Sequence, residues 1–293
     1  MNTSITFSPA TFKTVQVNNV EIFYREAGPA DAPVILLLHG FPSSSHMYRN
    51  LMNHLSARYH VIAPDYPGAG LSSRPARDVF EYTFDQLALI MEKFIDTIGL
   101  TRFSLYAQDF GGPVGFRIAS KRPELIETLL IQNANAYTEG LAPRVHELAA
   151  LVNSGNEETL QNVLDSMLSL EGIKENYFHP ETNPENINPD GYLLDHYFMQ
   201  VPGTKDIQAA LLRNYQHNFT QYNNWQQYFR DHQPPTLIVW GKYDPIFLVP
   251  GAKAYLKDLP DAELHLLDGG HFLLEEHHQE VATLIDRFLT AKL

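Results

Sequence analysis

Residues 101–118 read TRFSLYAQDFGGPVGFRI. Phe103 to Ala107 is a short apolar run suited to a buried strand, and Gly111, Gly112 and the residues after Pro113 suit a helix start. Between them stands Asp109, with small Ala107 and Gly111 two positions away on either side. A strand turning sharply into a helix on such neighbours makes a nucleophile elbow, which lifts one side chain clear of the backbone. Small neighbours are required because the lifted residue has unfavourable φ/ψ and because strand and helix crowd the turn. An aspartate at a helix start is also a good N-cap and suits the positive end of the helix dipole, so the motif has a purely structural reading as well. On the catalytic reading, a carboxylate nucleophile implies an ester of the enzyme's own aspartate, and a substrate carbon that is an alkylating electrophile rather than an acyl group.

Upstream of this stretch, Thr14 to Arg25 alternate in type around Asn18-Asn19, which predicts an antiparallel hairpin. Val34 to Leu38 is a continuous aliphatic run, the pattern of a strand covered on both faces in a mainly parallel sheet. It stops at His39-Gly40-Phe41-Pro42, a turn placed where open α/β sheets bind ligands. There the Phe41 backbone N–H can aim at the same point as that of Phe110, forming an oxyanion hole, although a simple loop with a proline stop explains the residues equally well. Met47 to Leu55 reads as a helix, Tyr59 to Ala63 as a buried strand, and Phe84 to Ile98 as a helix with apolar Leu87, Ile90, Met91, Phe94 and Ile95. The glycine-rich turn after Asp65 lacks the full dinucleotide fingerprint, so Asp65 is read as a structural turn residue and no cofactor is expected. With Leu125 to Ile131 as the next strand, the alternation predicts a doubly wound sheet.

From about Tyr137 to His232 the alternation stops. Helical patches such as Val145 to Leu151 and Leu160 to Leu170 surround a Pro- and Asn-rich piece, HPETNPENINPDG. The expected division is a core of residues 1–135 and 234–293, with residues 136–233 inserted as a helical cap that excludes water from the site. Strand character resumes at Thr236 to Trp240 and leads into Gly-Lys-Tyr-Asp244-Pro. After a last strand at Leu264 to Leu267, Asp268-Gly-Gly-His271-Phe puts a histidine in a glycine-freed loop. Asp109, Asp244 and His271 thus follow strand ends in the chain order nucleophile, acid, histidine.

Together HGFP, the Asp65 glycine turn, AQDFGG, WGKYDP and GGHF resemble the α/β-hydrolase fold. The aspartate at the elbow resembles the branch of epoxide hydrolases and haloalkane dehalogenases. That resemblance implies Asp109 as nucleophile, His271 as the general base that activates water, Asp244 as its orienting acid, and the N–H groups of Phe41 and Phe110 as oxyanion donors. Histidine suits the base role because its pKa lies near neutrality. Dehalogenases of this branch usually cradle the halide with a Trp after the nucleophile and an Asn or Trp in the His-Gly turn, and fluoroacetate-type enzymes place an Arg after the nucleophile. Phe110 and Phe41 supply none of these donors. Epoxide opening instead needs an acid for the oxygen, and Tyr215 in LLRNYQHNF resembles the family's ring-opening tyrosine. The second tyrosine expected earlier in the cap is missing from ELAALVNSGNEET, leaving His146, Tyr177, Tyr192 or Tyr197 as substitutes. The expectation is therefore an epoxide hydrolase acting on a small apolar electrophile, with dehalogenation of an unusual halide or a ligand receptor built on a hydrolase scaffold as the rival readings.

Composition agrees with that class. The chain has 293 residues, 44% hydrophobic and 19% charged, enough for one large α/β core. A net charge of -13 disfavours nucleic acid or an anionic membrane as partner. Cysteine is absent, which excludes disulfides, thiolate metal sites and a cysteine nucleophile. No metal is expected, since adjacent His277 and His278 point to different sides of a helix. The first residues, MNTSITFSPATFK, carry no secretory pattern and no apolar run approaches a membrane span, so the expected compartment is the cytoplasm. Oligomeric state stays open, a homodimer included.

Overall fold

The aliphatic runs become the centre of one eight-stranded sheet in a computed structural model that describes residues 9–293. Its strands are β1 (Thr11–Val17), β2 (Val20–Ala27), β3 (Val34–Leu38), β4 (His60–Pro64), β5 (Phe103–Gln108), β6 (Ile126–Gln132), β7 (Thr236–Gly241) and β8 (Glu263–Leu267). The spatial order is β1-β2-β4-β3-β5-β6-β7-β8. β1 and β2 form the hairpin, turned by Asn18 at φ 56°, and β2 joins β4 antiparallel; every later pair is parallel. Parallel strands need helical cover on both faces, and β4, β5 and β7 are buried along their whole length.

The helices are α1 (Arg49–Leu55), α2 (Phe84–Thr97), α3 (Gly111–Lys121), α4 (Pro143–Ser154), α5 (Glu157–Met167), α6 (Leu170–Tyr177), α7 (Pro189–Met199), α8 (Thr204–Asn214), α9 (Tyr222–His232), α10 (Val249–Ala254) and α11 (Leu273–Lys292). α2 starts where the Thr83 hydroxyl accepts from the Gln86 N–H, and it buries the apolar stripe read from its spacing. α2 packs against α3, and α1 against α11. The helix predicted from Met47 begins as a 3-10 turn, Ser45–Tyr48, because the Ser44 hydroxyl caps there first. Asp65 anchors this region by accepting the N–H groups of Ser45 and Leu71.

Between β6 and β7 the chain contributes α4 to α9 and no strand of the sheet. β6 and β7 are nevertheless neighbours, with Leu129 opposite Thr236. Among the described residues, no helix is long and apolar enough to cross a membrane. The first eight residues of the stretch read for a leader lie outside the described residues.

Candidate active site

Parallel pairing brings the chemistry to one edge. Leu38 pairs with Ala107, Gln108 with Gln132, and Gly241 with Leu267, so the segments that follow β3, β5, β6, β7 and β8 all leave the sheet on the same side. Asp109 comes immediately after β5 with φ 48°, a strained backbone for a residue with a side chain. The crowding expected of an elbow is present. A Cβ on Gly111 would overlap the Leu38 carbonyl, and one on Gly40 would overlap Asp109 itself.

Around Asp109 the parts converge. The Phe41 N–H donates to Asp109 Oδ1 at 2.6 Å, and Oδ2 lies 3.7 Å from His271 Nε2. On its other side His271 donates from Nδ1 to Asp244 Oδ2 at 2.8 Å. Asp244 is held in turn by the Asn133 side-chain amide at 2.7 Å and by the N–H groups of Ile246 and Phe247 at 2.7 and 3.0 Å. Asn133 follows β6 at φ 42°, and its Oδ1 accepts the Gly241 N–H, tying the ends of β6 and β7 together.

Burial decides the charges. Desolvation pushes Asp109 up from 3.8 to about 6, against the pull of His271 and of the Phe41 and Phe110 N–H groups; Asp244 adds to the rise. Burial alone would lower His271, but the charge of Asp244, their hydrogen bond and Asp109 outweigh it, and the net direction is upward. Asp109 thus holds its proton more tightly, and His271 gains one more readily, than either does in water, as suits a buried carboxylate facing a base.

A cavity of about 270 Å³ opens onto Asp109. Phe41, Phe110, Leu148, Met167, Leu212 and Phe247 make its walls largely apolar, and Tyr215 lies among them. Tyr215 starts the 3-10 stretch after α8 and stacks on Phe110 and Phe247, with centroids 5.9 and 6.2 Å apart. Its hydroxyl is buried near that of Tyr222 without a well-formed hydrogen bond, and burial first, then Tyr222 and Asp109, push its pKa far upward. The phenol consequently stays protonated and available as a donor.

The six residues singled out from the sequence thus come together: Asp109, Tyr215, Phe41 and Phe110 line the cavity, and His271 with Asp244 behind it stands against Asp109. The substitutes for a second tyrosine do not join them. Tyr177 donates to Asp195 at 2.5 Å and stacks on Phe272, Tyr197 is 63% exposed, and neither these nor His146 and Tyr192 line the cavity. Sequence reasoning missed Asn133, whose only signal was its place directly after a strand. It also missed Gln108 and Arg144, a cation of α4 on the cavity wall. Among the described residues no cluster of metal ligands exists, and His277 and His278 bond to Glu280 and His54 respectively.

Residues 33–278 match the model of the alpha/beta hydrolase fold family. The chain belongs to that family. An uncharacterized hydrolase of Saccharomyces cerevisiae is 38% identical to this hydrolase over 93% of the chain and 95% of the yeast protein. A haloalkane dehalogenase of Psychrobacter cryohalolentis is 27% identical, covering 93% of this chain and 88% of its own. Epoxide hydrolase 2 of Caenorhabditis elegans is 25% identical, covering 94% and 79%.

Proposed function

We propose that this α/β hydrolase opens epoxides to vicinal diols through a covalent ester on Asp109. The observation that carries the reading is that Asp109 and Tyr215 line one largely apolar cavity, the Tyr215 hydroxyl having no hydrogen-bond partner, while Phe41 and Phe110 flank the carboxylate with rings that offer no donor to a halide. In the first half-reaction Asp109 Oδ2 attacks a ring carbon, the carbon–oxygen bond breaks, and Tyr215 gives its proton to the departing oxygen. In the second, His271 Nε2 takes a proton from water, and the hydroxide adds to the ester carbonyl. The N–H groups of Phe41 and Phe110 hold the resulting oxyanion, a task for which the 2.6 Å contact of Phe41 is already set. Collapse breaks the bond to the diol oxygen, which takes the proton of the added hydroxyl and leaves Asp109 a carboxylate again, and the proton on His271 returns to Tyr215. Asp244 fixes the tautomer of His271 and stabilises the imidazolium. Residues 136–233 act as the cap that shields the ester from bulk water until His271 activates one molecule.

A panel of aliphatic and aryl epoxides, with haloalkanes alongside, tests this reading by product identification. One turnover in ¹⁸O-water should give unlabelled diol and label in Asp109, because the diol oxygen comes from the carboxylate. Labelled diol in that turnover, or halide release with no diol from any epoxide, refutes the proposal.

A further inference from the structure

Gln108 ends β5 and is completely buried. Its Nε2 lies 3.2 Å from His271 Nε2 and 3.5 Å from the His271 carbonyl oxygen, whereas its Oε1 is buried with no partner. The carbonyl settles which end of the amide faces the ring: an NH₂ group there meets two acceptors, and an oxygen would face the carbonyl's own lone pairs. Because Nδ1 gives its hydrogen to Asp244, the Nε2 that Gln108 meets is the lone pair that must later receive the proton of water.

We infer that Gln108 is a positioning residue for His271, donating to Nε2 so that the resting ring stays neutral, hydrogen on Nδ1, and aimed at the Asp109 carboxylate. The inference rests on His271 serving as the base in the reading above. It explains why a buried amide oxygen is left unsatisfied, since the geometry favours the donor end at the expense of the other.

The charges facing the imidazole are few. Asp244 and Asp109 are anions that favour the imidazolium, Arg144 is a cation that opposes it, and Gln132 presents a neutral amide 3.5 Å from the His271 carbonyl. An imidazolium formed before the ester would have no lone pair for water. The Gln108 donor acts against that premature protonation, because an N–H can bond to the neutral ring but not to the N–H of the charged one. When the ester has formed, water displaces the amide from Nε2 and takes over the contact.

Nitrogen NMR of the imidazoles tests this without any substrate, using the full-length protein labelled with ¹⁵N at histidine and glutamine. In the wild-type protein, His271 should show a bare Nε2, a protonated Nδ1, and a coupling between Nε2 and a glutamine side-chain nitrogen. Gln108→Met keeps the bulk and removes the donor. It should raise the imidazolium-to-imidazole ratio of His271 about fivefold at a fixed pH near the midpoint, and Gln108→Glu should raise it further. A protonated Nε2 in the wild type, or identical titration of His271 in wild type and Gln108→Met, overturns the inference. Should Gln108→Met not fold, the wild-type tautomer and coupling decide alone. The epoxide reading fails by a different result, namely no diol from the substrate panel, so the two are separable. On a turned-over epoxide, the acid limb of ester hydrolysis in Gln108→Met should move to higher pH while the rate of ester formation holds. An equal loss in both steps with an unmoved limb is the signature of a structural role only and counts against positioning.

Discussion

Replacing Asp109 by asparagine should make the protein more stable while abolishing turnover. The folded chain holds the Asp109 proton up to about 6 against an ordinary 3.8, because the carboxyl is 4% exposed. A folded-state pKa above the unfolded one means that ionisation opposes folding, so the penalty is absent below about pH 4, grows between about pH 4 and 6, and is constant above that. At about 1.4 kcal/mol per pH unit, the gap from 3.8 to about 6 converts to about 3 kcal/mol. The amide introduced by Asp109→Asn retains an oxygen to accept the Phe41 N–H, so the elbow keeps its 2.6 Å contact in kind. His271 acts in the same sense: its raised pKa stabilises the fold fully below 6.5 and the benefit is lost as pH rises through the higher folded value, and since Asp109 is one of the causes, the variant forgoes part of it on the low-pH side. The advantage of Asp109→Asn should therefore be largest on the alkaline side, worth about 6 °C in Tm for a chain of this size. Calorimetry of both proteins at pH 5 and pH 8 measures it. A variant less stable than wild type at pH 8, or a difference that does not change with pH, refutes the claim that a buried, strained charge is maintained for chemistry at the expense of the fold.

Three further outcomes follow from the geometry. His271→Gln should still be alkylated but lose ester hydrolysis by about 10²- to 10⁴-fold, so intact-protein mass spectrometry after epoxide exposure should show a stoichiometric adduct on Asp109; unmodified Asp109 after substrate has been consumed contradicts the scheme. Tyr215→Phe preserves the stacking on Phe110 and Phe247 and removes only the hydroxyl, so ester formation should slow by about 10²-fold or more with KM little changed. Single-turnover kinetics separates that step, and an undiminished rate removes Tyr215 from the mechanism. Gly111→Ala drives a methyl group into the Leu38 carbonyl and should cost about 3 kcal/mol, read as a lowered midpoint in urea.

The sheet was legible because its strands are nearly pure aliphatic runs: VILLL at 34–38 and HVIAP at 60–64 admit no amphipathic helix of useful length. The three titratable residues were legible because each follows such a run within a few positions. Asn133 was not, since a lone asparagine after a strand reads as an ordinary turn, and its role depends on a left-handed φ and on β7 arriving beside it. Gln108 escaped for the opposite reason. It sits inside the strand, where period and hydropathy describe pairing and say nothing of a contact across 163 positions of sequence. The helical insertion could be recognised only by its lack of strands, and which aromatics faced the cavity was hidden: Tyr177, as plausible by composition as Tyr215, spends its hydroxyl on Asp195.

The adjacency of β6 and β7 carries a wider consequence. About a hundred residues are threaded out and back between two strands that already touch, so the excursion begins and ends at nearly one point of the scaffold. Material hung from a single doorway can be lengthened, shortened or replaced without re-registering any strand, and the reacting atoms stay where they are while the walls around the guest are redrawn.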